Sequence, residues 1–297
     1  MADQPILITG GRGMLASALR RRFARPDGPT VPILWTDVGE LDITNEWTVR
    51  QFVKLHRPSL ILNCAGLTDV DGCEAKRDLA FAINARGVGY LARAANEVSA
   101  DFVHISTDFI FSGAGRGPGQ PYREDDTTEP QCVYAESKLA GEVEARQAEK
   151  HIIARTSWLY GTDGKNFVKA IADRAAAGAT LKVVGDQIGC PTYTCDLAEA
   201  LWRLITRQAR GTFHTCGSEV CSWFQFAQAI VDLHRPGTTV LEISSAELDR
   251  PAHRPAYSAM DCTKLFAATG YRLPGYHDAL PRYLAEMAGP APAKGTP

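Results

Sequence analysis

Long apolar runs are missing from this 297-residue chain. None reaches the ~18 residues that a membrane span needs, so no membrane partner is expected. The first residues, Met1-Ala2-Asp3-Gln4-Pro5, carry no basic segment ahead of an apolar one and lead straight into a strand-like run. A secretory leader is therefore not expected, and the chain reads as cytoplasmic. A charge excess is also lacking. Lys and Arg total 32 against 34 Asp and Glu, a net charge of −2. That argues against nucleic acid as a partner while leaving room for a local basic pocket. Metal-ligand spacing is absent too. The eight cysteines, at 64, 73, 132, 190, 195, 216, 221 and 262, include no Cys-x-x-Cys. The 190/195 and 216/221 pairs have no paired histidines nearby, so no metal is expected, and the cysteines read as reduced, several of them buried as small apolar residues. No internal repeat is visible, which removes the solenoid architectures.

The length exceeds the usual single core, so two cores or one large α/β domain with an appendage are expected. Pro5 to Thr9 is a short apolar run that reads as a buried parallel strand. Gly10-Gly11-Arg12-Gly13-Met14-Leu15-Ala16 follows, then the helical spacing Leu15, Leu19, Phe23. Strand, glycine turn and helix stand in the order a dinucleotide site needs: the glycines let the backbone approach a pyrophosphate, which rests on the helix N-terminus. A second strand, 31–37, ends in Asp37, about twenty residues on, where an acid binds a ribose 2′-hydroxyl and favours NADH. Arg12 inside the glycine turn suits a 2′-phosphate and favours NADPH, so both cofactors stay open. Asp42 and Ile43 either flank the adenine or precede a helix at 45–56, with Asp42 or Thr44 as its cap.

A third strand, 59–66, ends in the small residues Cys64, Ala65 and Gly66, over which a cofactor ribose can lie. A polar loop, 67–74, comes next, then an Ala-rich helix from about 74 to 98. The fourth strand, 100–107, presents Ser106, Thr107 and Asp108 at its end, with His104 read as a core residue. In the helix that follows, Tyr134 and Lys138 share one face about a turn apart. A phenol beside an ammonium is a proton donor whose ordinary value near ~10 is expected to be lowered by the charge. A fifth strand, 150–155, precedes mixed elements: helices at 166–177, 196–207 and 222–233, and strands at 181–184 and 211–215. The expected architecture is a Rossmann-type doubly wound parallel sheet with a smaller mixed α/β substrate-binding lobe. The dinucleotide-binding part spans 1–155, with a strand near 211–216 returning to it. The lobe spans 156–287, and a disordered tail spans 288–297.

Thr107, Tyr134 and Lys138 would converge near a nicotinamide at the carboxyl edge of that sheet. A hydroxyl that orients a carbonyl, a phenol that protonates the forming alkoxide and a lysine beside it are what carbonyl reduction needs.

The chain resembles the dTDP-4-dehydrorhamnose reductase family of the extended short-chain dehydrogenase/reductases. The residues that carry the resemblance are 10–16, Thr68 to Asp71, His104 to Gly113, Val133-Tyr134 with Ser137 to Glu142, Arg155 to Gly161, Asn166-Phe167, Asp186 to Thr192, and Arg254-Pro255. The resemblance implies catalysis by Thr107, Tyr134 and Lys138. It implies cofactor contacts from Gly10, Arg12, Gly13, Met14, Leu15, Asp37, Asp42, Ile43, Cys64, Ala65 and Gly66, together with Tyr134 and Lys138. Val70, Asp108, Phe109, Trp158, Asn166 and Arg254, with Thr107, would lie near the sugar nucleotide. The implied substrate is a dTDP-linked 4-keto-6-deoxy sugar and the implied reductant NADPH or NADH. Three departures stand out. Ala16 replaces the third glycine, and Phe109 stands where the family usually has tyrosine. Where some members hold a bridging magnesium with glutamates, this chain has Ala18 and Cys195. Neither is a hard oxygen ligand, so a monomer or a dimer without bridging metal is expected. Two rivals stand beside this reading: a related 4-ketoreductase of a specialised deoxysugar pathway, and a non-catalytic dinucleotide-binding regulator. The intact Thr107, Tyr134 and Lys138 set argues against the second rival.

Overall fold

The computed structural model describes residues 4–117 and 119–287, so the 288–297 tail lies outside the described residues. In chain order the elements are β1 (Ile6–Thr9), α1 (Met14–Phe23), β2 (Ile33–Thr36), α2 (Glu46–His56), β3 (Leu60–Asn63), α3 (Val70–Ala75), α4 (Arg77–Phe81), α5 (Gly87–Val98) and β4 (Asp101–Thr107). Then come α6 (Val133–Ala145), β5 (His151–Thr156), β6 (Leu159–Tyr160), α7 (Phe167–Ala176), β7 (Leu181–Val184), β8 (Ile188–Gly189), β9 (Thr192–Tyr193), α8 (Thr194–Thr206) and β10 (Gly211–His214). The chain ends with β11 (Cys221–Ser222), α9 (Trp223–His234), β12 (Val240–Ile243), α10 (Thr263–Thr269) and α11 (Tyr276–Met287).

Six strands form one parallel sheet in the order β10-β5-β4-β3-β1-β2. Side chains alternate across it. Ile6 and Ile8 join Leu15, Leu19, Leu197 and Leu201 of α1 and α8 on one face. Leu7 and Ile61 join Val49, Val53, Leu91 and Ala95 of α2 and α5 on the other. Both faces are covered, which is why the strands read as continuous apolar runs. The strand order reverses between β1 and β3, and ligands in open α/β sheets bind at that carboxyl edge. A third cluster, Tyr160, Val168, Leu181, Phe226, Ile230 and Tyr283, forms a separate core from the later elements.

Two local expectations are corrected. The helix read at 74–98 is three helices, with a π-helical turn at Ala82–Arg86 joining α4 to α5. Buried Asn84 sits in that turn and ties it to the 67 loop, donating to the Leu67 carbonyl at 3.0 Å and accepting from the Leu67 N–H at 2.8 Å. The cap of α2 is Asn45, which accepts from the Thr48 N–H at 3.1 Å. Asp42 instead accepts from the N–H and hydroxyl of Thr44, closing a turn one step earlier.

Candidate active site

Gly10 closes β1 with φ +67°, and a Cβ there would stand 2.7 Å from the Ala65 nitrogen. The backbone of β3's end therefore passes directly over the turn. Gly13 caps α1 with no side-chain hydrogen bond of its own, and among the described residues no side chain accepts from the first-turn N–H groups. That bare helix start beside close-packed glycine backbone fits a dinucleotide pyrophosphate. A cavity of about 390 Å³ opens beside it, lined by Gly10, Gly13, Asp37, Asp42, Ile43, Cys64, Ala65 and Gly66 among others. Gly10→Ala is expected to cost about 1–2 kcal/mol from the left-handed backbone alone. Overlap with Ala65 adds to that, and thermal unfolding together with a dinucleotide titration would register both losses.

The acid that follows β2 is already engaged. Asp37 accepts from the Arg12 and Val38 N–H groups at 3.1 and 2.9 Å. The Arg12 guanidinium turns outward to an exposed pair with Glu40 at 2.7 Å, and it lines none of the cavities described here.

A larger cavity of about 520 Å³ continues from Gly13, Met14, Leu15 and Cys64–Gly66 to Val70, Thr107, Asp108, Phe109, Tyr134, Lys138, Trp158 and Arg254. Thr107 and Asp108 arrive from the end of β4. Tyr134 and Lys138 arrive from α6, whose first N–H is capped from outside, by Glu74 at 2.9 Å. Lys138 Nζ donates to the Ile105 carbonyl at 2.6 Å. Burial lowers the lysine to about 8, against the raising effect of Glu142 and Cys64. The expected lowering of Tyr134 is corrected. Burial raises the phenol above its ordinary value, and the Thr107 hydroxyl only partly opposes this. The ring lies among Cys73, Cys132, Val133 and Ala252, with Phe109 edge-on at 5.6 Å, and low-polarity packing disfavours the phenolate. The phenol therefore starts protonated, as a proton donor must.

Asp108 is buried and accepts from the Thr107 hydroxyl at 3.0 Å and the Ser258 hydroxyl at 2.5 Å. Burial raises its carboxyl to about 6. Arg254 meets Asp71 through both terminal nitrogens, at 3.0 and 2.8 Å. The guanidinium in turn holds the Asp71 carboxyl below its ordinary range.

A third cavity of about 370 Å³ shares Phe109, Trp158, Trp223 and Arg254 with the larger one, and adds Phe167, Arg174, Lys182 and Arg250. Trp158, itself at φ +47°, stacks on Trp223 at 3.6 Å and 6°. Gly189 makes room for that indole, since a Cβ there would lie 2.6 Å from the ring. Trp223, Arg174, Lys182 and Arg250 were not among the residues singled out from sequence. The basic ones resemble any surface charge until the fold groups them. Asn166 is placed differently from the sugar contact expected of it. It caps α7, accepting from the Lys169 N–H at 3.0 Å and donating to the Gly161 carbonyl at 2.7 Å.

The sequence pattern described as the RmlD substrate binding domain matches residues 4–288. The chain belongs to the dTDP-4-dehydrorhamnose reductase family. It is 38% identical over 284 residues to the spore coat polysaccharide biosynthesis protein SpsK of Bacillus subtilis, covering 95% of this chain and 98% of that one. It is 38% identical over 299 residues to the dTDP-4-dehydrorhamnose reductase of Mycobacterium tuberculosis, covering 99% and 95%. The crystal structure of the Bacillus anthracis dTDP-4-dehydrorhamnose reductase in complex with NADP superposes with a TM-score of 0.89 at 37% identity, covering 96% of this chain and 99% of that one. These relatives thus match nearly the whole length of the chain, including the segments that line the three cavities.

Proposed function

We propose that this chain reduces the 4-keto group of a dTDP-4-dehydro-6-deoxyhexose, dTDP-4-dehydrorhamnose first among them, giving dTDP-L-rhamnose. A reduced nicotinamide dinucleotide, NADPH or NADH, supplies the hydride when bound. The observation that carries the reading is the meeting of Thr107, Tyr134 and Lys138 in one cavity that runs back to the bare start of α1. In this reading Thr107 orients the carbonyl oxygen by hydrogen bonding. Tyr134, protonated at neutral pH, gives its phenolic proton to the oxygen as negative charge develops there. Lys138 brings positive charge to the same wall and hydrogen-bonding capacity for a ribose. Gly10, Gly13, Met14, Leu15 and Cys64 to Gly66 lie along the dinucleotide, with Asp37, Asp42 and Ile43 toward its adenosine end.

The sugar nucleotide then lies toward Val70, Asp108, Phe109, Trp158 and Arg254. Stacked indoles offer a flat wall to a base, and a cluster of Arg174, Lys182, Arg250 and Arg254 suits a diphosphate. Residues up to about 155 form the cofactor side in this reading, and most of 156–287 the sugar side. Among the described residues no helix is long and apolar enough to cross a membrane. A cytoplasmic enzyme, monomeric or dimeric without a bridging metal, is the accompanying proposal.

The deciding experiment supplies the protein with dTDP-4-dehydrorhamnose and NADPH or NADH, and follows cofactor oxidation and product stereochemistry. No turnover of any dTDP-4-keto sugar, with dinucleotide binding intact, would sink the enzyme reading and leave the non-catalytic regulator. A related 4-ketoreductase of a specialised pathway is the second reading. Phe109 favours it by withdrawing a hydroxyl from the sugar side, and so does the similarity to a protein named for spore coat polysaccharide biosynthesis. Product stereochemistry separates the two. Arg254→Lys keeps the charge but loses the fork that grips Asp71 and a diphosphate. It is expected to raise KM for the sugar nucleotide about tenfold with little change in kcat, as loss of uniform binding does. Steady-state kinetics with saturating cofactor reads that split.

A further inference from the structure

A buried polar chain runs beneath Lys138. Asn63, at the end of β3, and His104, in the middle of β4, are fully enclosed. Asn63 Oδ1 accepts from the Ala65 backbone N–H at 3.1 Å and from the Thr9 hydroxyl at 2.6 Å. A backbone N–H can only donate, so the orientation of the amide follows: its NH₂ faces His104 Nδ1, at 3.2 Å. On the other side of the ring, Nε2 lies 3.4 Å from Lys138 Nζ. Helix α6 comes this close because residue 141 is glycine. A Cβ there would overlap the Asn84 carbonyl and sit 3.3 Å from Nε2.

Burial holds His104 well below its ordinary value, so the ring is neutral. A neutral imidazole has one lone pair and one N–H. The Asn63 amide and a Lys138 ammonium are both donors, one facing each ring nitrogen, and only one of the two nitrogens can accept. The count closes only when Nζ is a free amine, whose lone pair accepts Nε2–H. The spacing shows the competition: the 2.6 Å bond to the Ile105 carbonyl is short, as an ammonium donor makes it, while the ring stands off at 3.4 Å, as a ring N–H facing that ammonium must.

We propose that His104 is a positioning residue for the reduction: through its Nε2–H it favours the free amine of Lys138, and so sets the pH above which the site loses its positive charge. This rests on the reading that Tyr134 and Lys138 act together. The other titratable groups acting on Nζ are Glu142 on α6 and Cys64 just past β3, and Tyr134 lines the same cavity. Of these, Glu142 and Cys64 favour the ammonium, opposing His104. The sign is that of a lowered lysine: the charge is present below its pKa and is lost as pH rises through it.

The test compares pH profiles of kcat/KM and of NADPH affinity for the wild type, His104→Gln and Asn63→Asp. In His104→Gln the amide oxygen carries two lone pairs, enough for both donors. In Asn63→Asp the carboxylate accepts Nδ1–H and frees Nε2 for the ammonium. Both variants are expected to move the alkaline half-point of each profile upward by about one pH unit. Half-points that stay in place in both variants overturn the proposal. A second readout needs neither variant nor cofactor: nitrogen-15 spectra of histidine-labelled wild type at high pH. A proton on Nε2 of His104 supports the proposal, and a proton on Nδ1 overturns it. Full activity in Tyr134→Phe would remove the paired reading instead, while the histidine spectrum would still decide the tautomer.

Discussion

Tyr134→Phe is expected to lower kcat by roughly 10²- to 10⁴-fold, the usual contribution of a positioned general acid. The phenyl ring keeps the packing of the tyrosine, including the edge contact with Phe109 at 5.6 Å. What disappears is a proton donor that burial holds in its acidic form. The loss falls on the transition state, where the oxygen gains charge, and not on the ground-state complexes. Dinucleotide affinity is accordingly expected to change by less than about threefold. Stopped-flow measurement of hydride transfer and a fluorescence titration of NADPH make the two halves separately measurable. A rate within tenfold of the wild type would take Tyr134 out of the mechanism. A large loss of cofactor affinity would recast it as a binding residue.

The largest expected effect on stability comes from beneath the site. Glu142 lies one turn beyond Lys138 on α6, with its side chain fully enclosed. It receives Arg155 through two nitrogens at 2.8 and 2.9 Å, the Ser106 hydroxyl at 2.7 Å and Arg146 at 2.9 Å. Glu142→Ala leaves the Arg155 guanidinium buried without its counter-charge, and breaking one side of such a pair costs about 3–5 kcal/mol. Removing both charges in Glu142→Ala with Arg155→Met is expected to recover a good part of that, because no charge then stays buried. Chemical unfolding at neutral pH reads both values. A loss below about 1 kcal/mol for the single variant would mean the pair contributes little beyond its own desolvation. The pH dependence has a definite sign. Arg155 and its neighbours hold the Glu142 carboxyl below its ordinary range. Its contribution is therefore full above the ordinary carboxyl value, near ~4.3, and fades as pH falls through the lower folded value. The gap between wild type and variant should narrow in acid. Because α6 also carries Tyr134 and Lys138, the single variant should lose activity along with stability.

Much of the dinucleotide half was legible because its signals are local. β1, the glycine turn and α1 occupy eighteen consecutive residues, Ile6 to Phe23, and each step has a short-range cause: an apolar run, a left-handed Gly10, a helical spacing. Tyr134 and Lys138 could be paired from spacing alone, since a helix turn brings them together wherever the helix goes. Reading Thr107 with them needed only the rule that strand ends meet at the carboxyl edge of a parallel sheet.

The electrostatics of the site was not legible. Spacing suggested that Lys138 would lower Tyr134, whereas enclosure by residues from α3, α4 and the 252 region raises it. The 74–98 stretch has helical composition throughout, but Asn84 interrupts it to hold the Leu67 loop. No periodicity records a bond of that kind. The resemblance puts Asn166 near the sugar nucleotide, and the structure adds what spacing does not record, that it bonds the start of α7 and the Gly161 carbonyl.

The sequence by itself thus determined the fold class, the place of the glycine turn and the residue types available for proton donation, because each follows from neighbours in the chain. Only the tertiary structure decided which charges meet. Asp71 and Arg254 stand 183 positions apart, and Trp158 reaches Trp223 from a different element. It also decided that His104, which spacing leaves as one more strand residue, lies against Lys138. Partners, burial and proton state depend on which segments the sheet and its two layers bring side by side, and no local pattern encodes that.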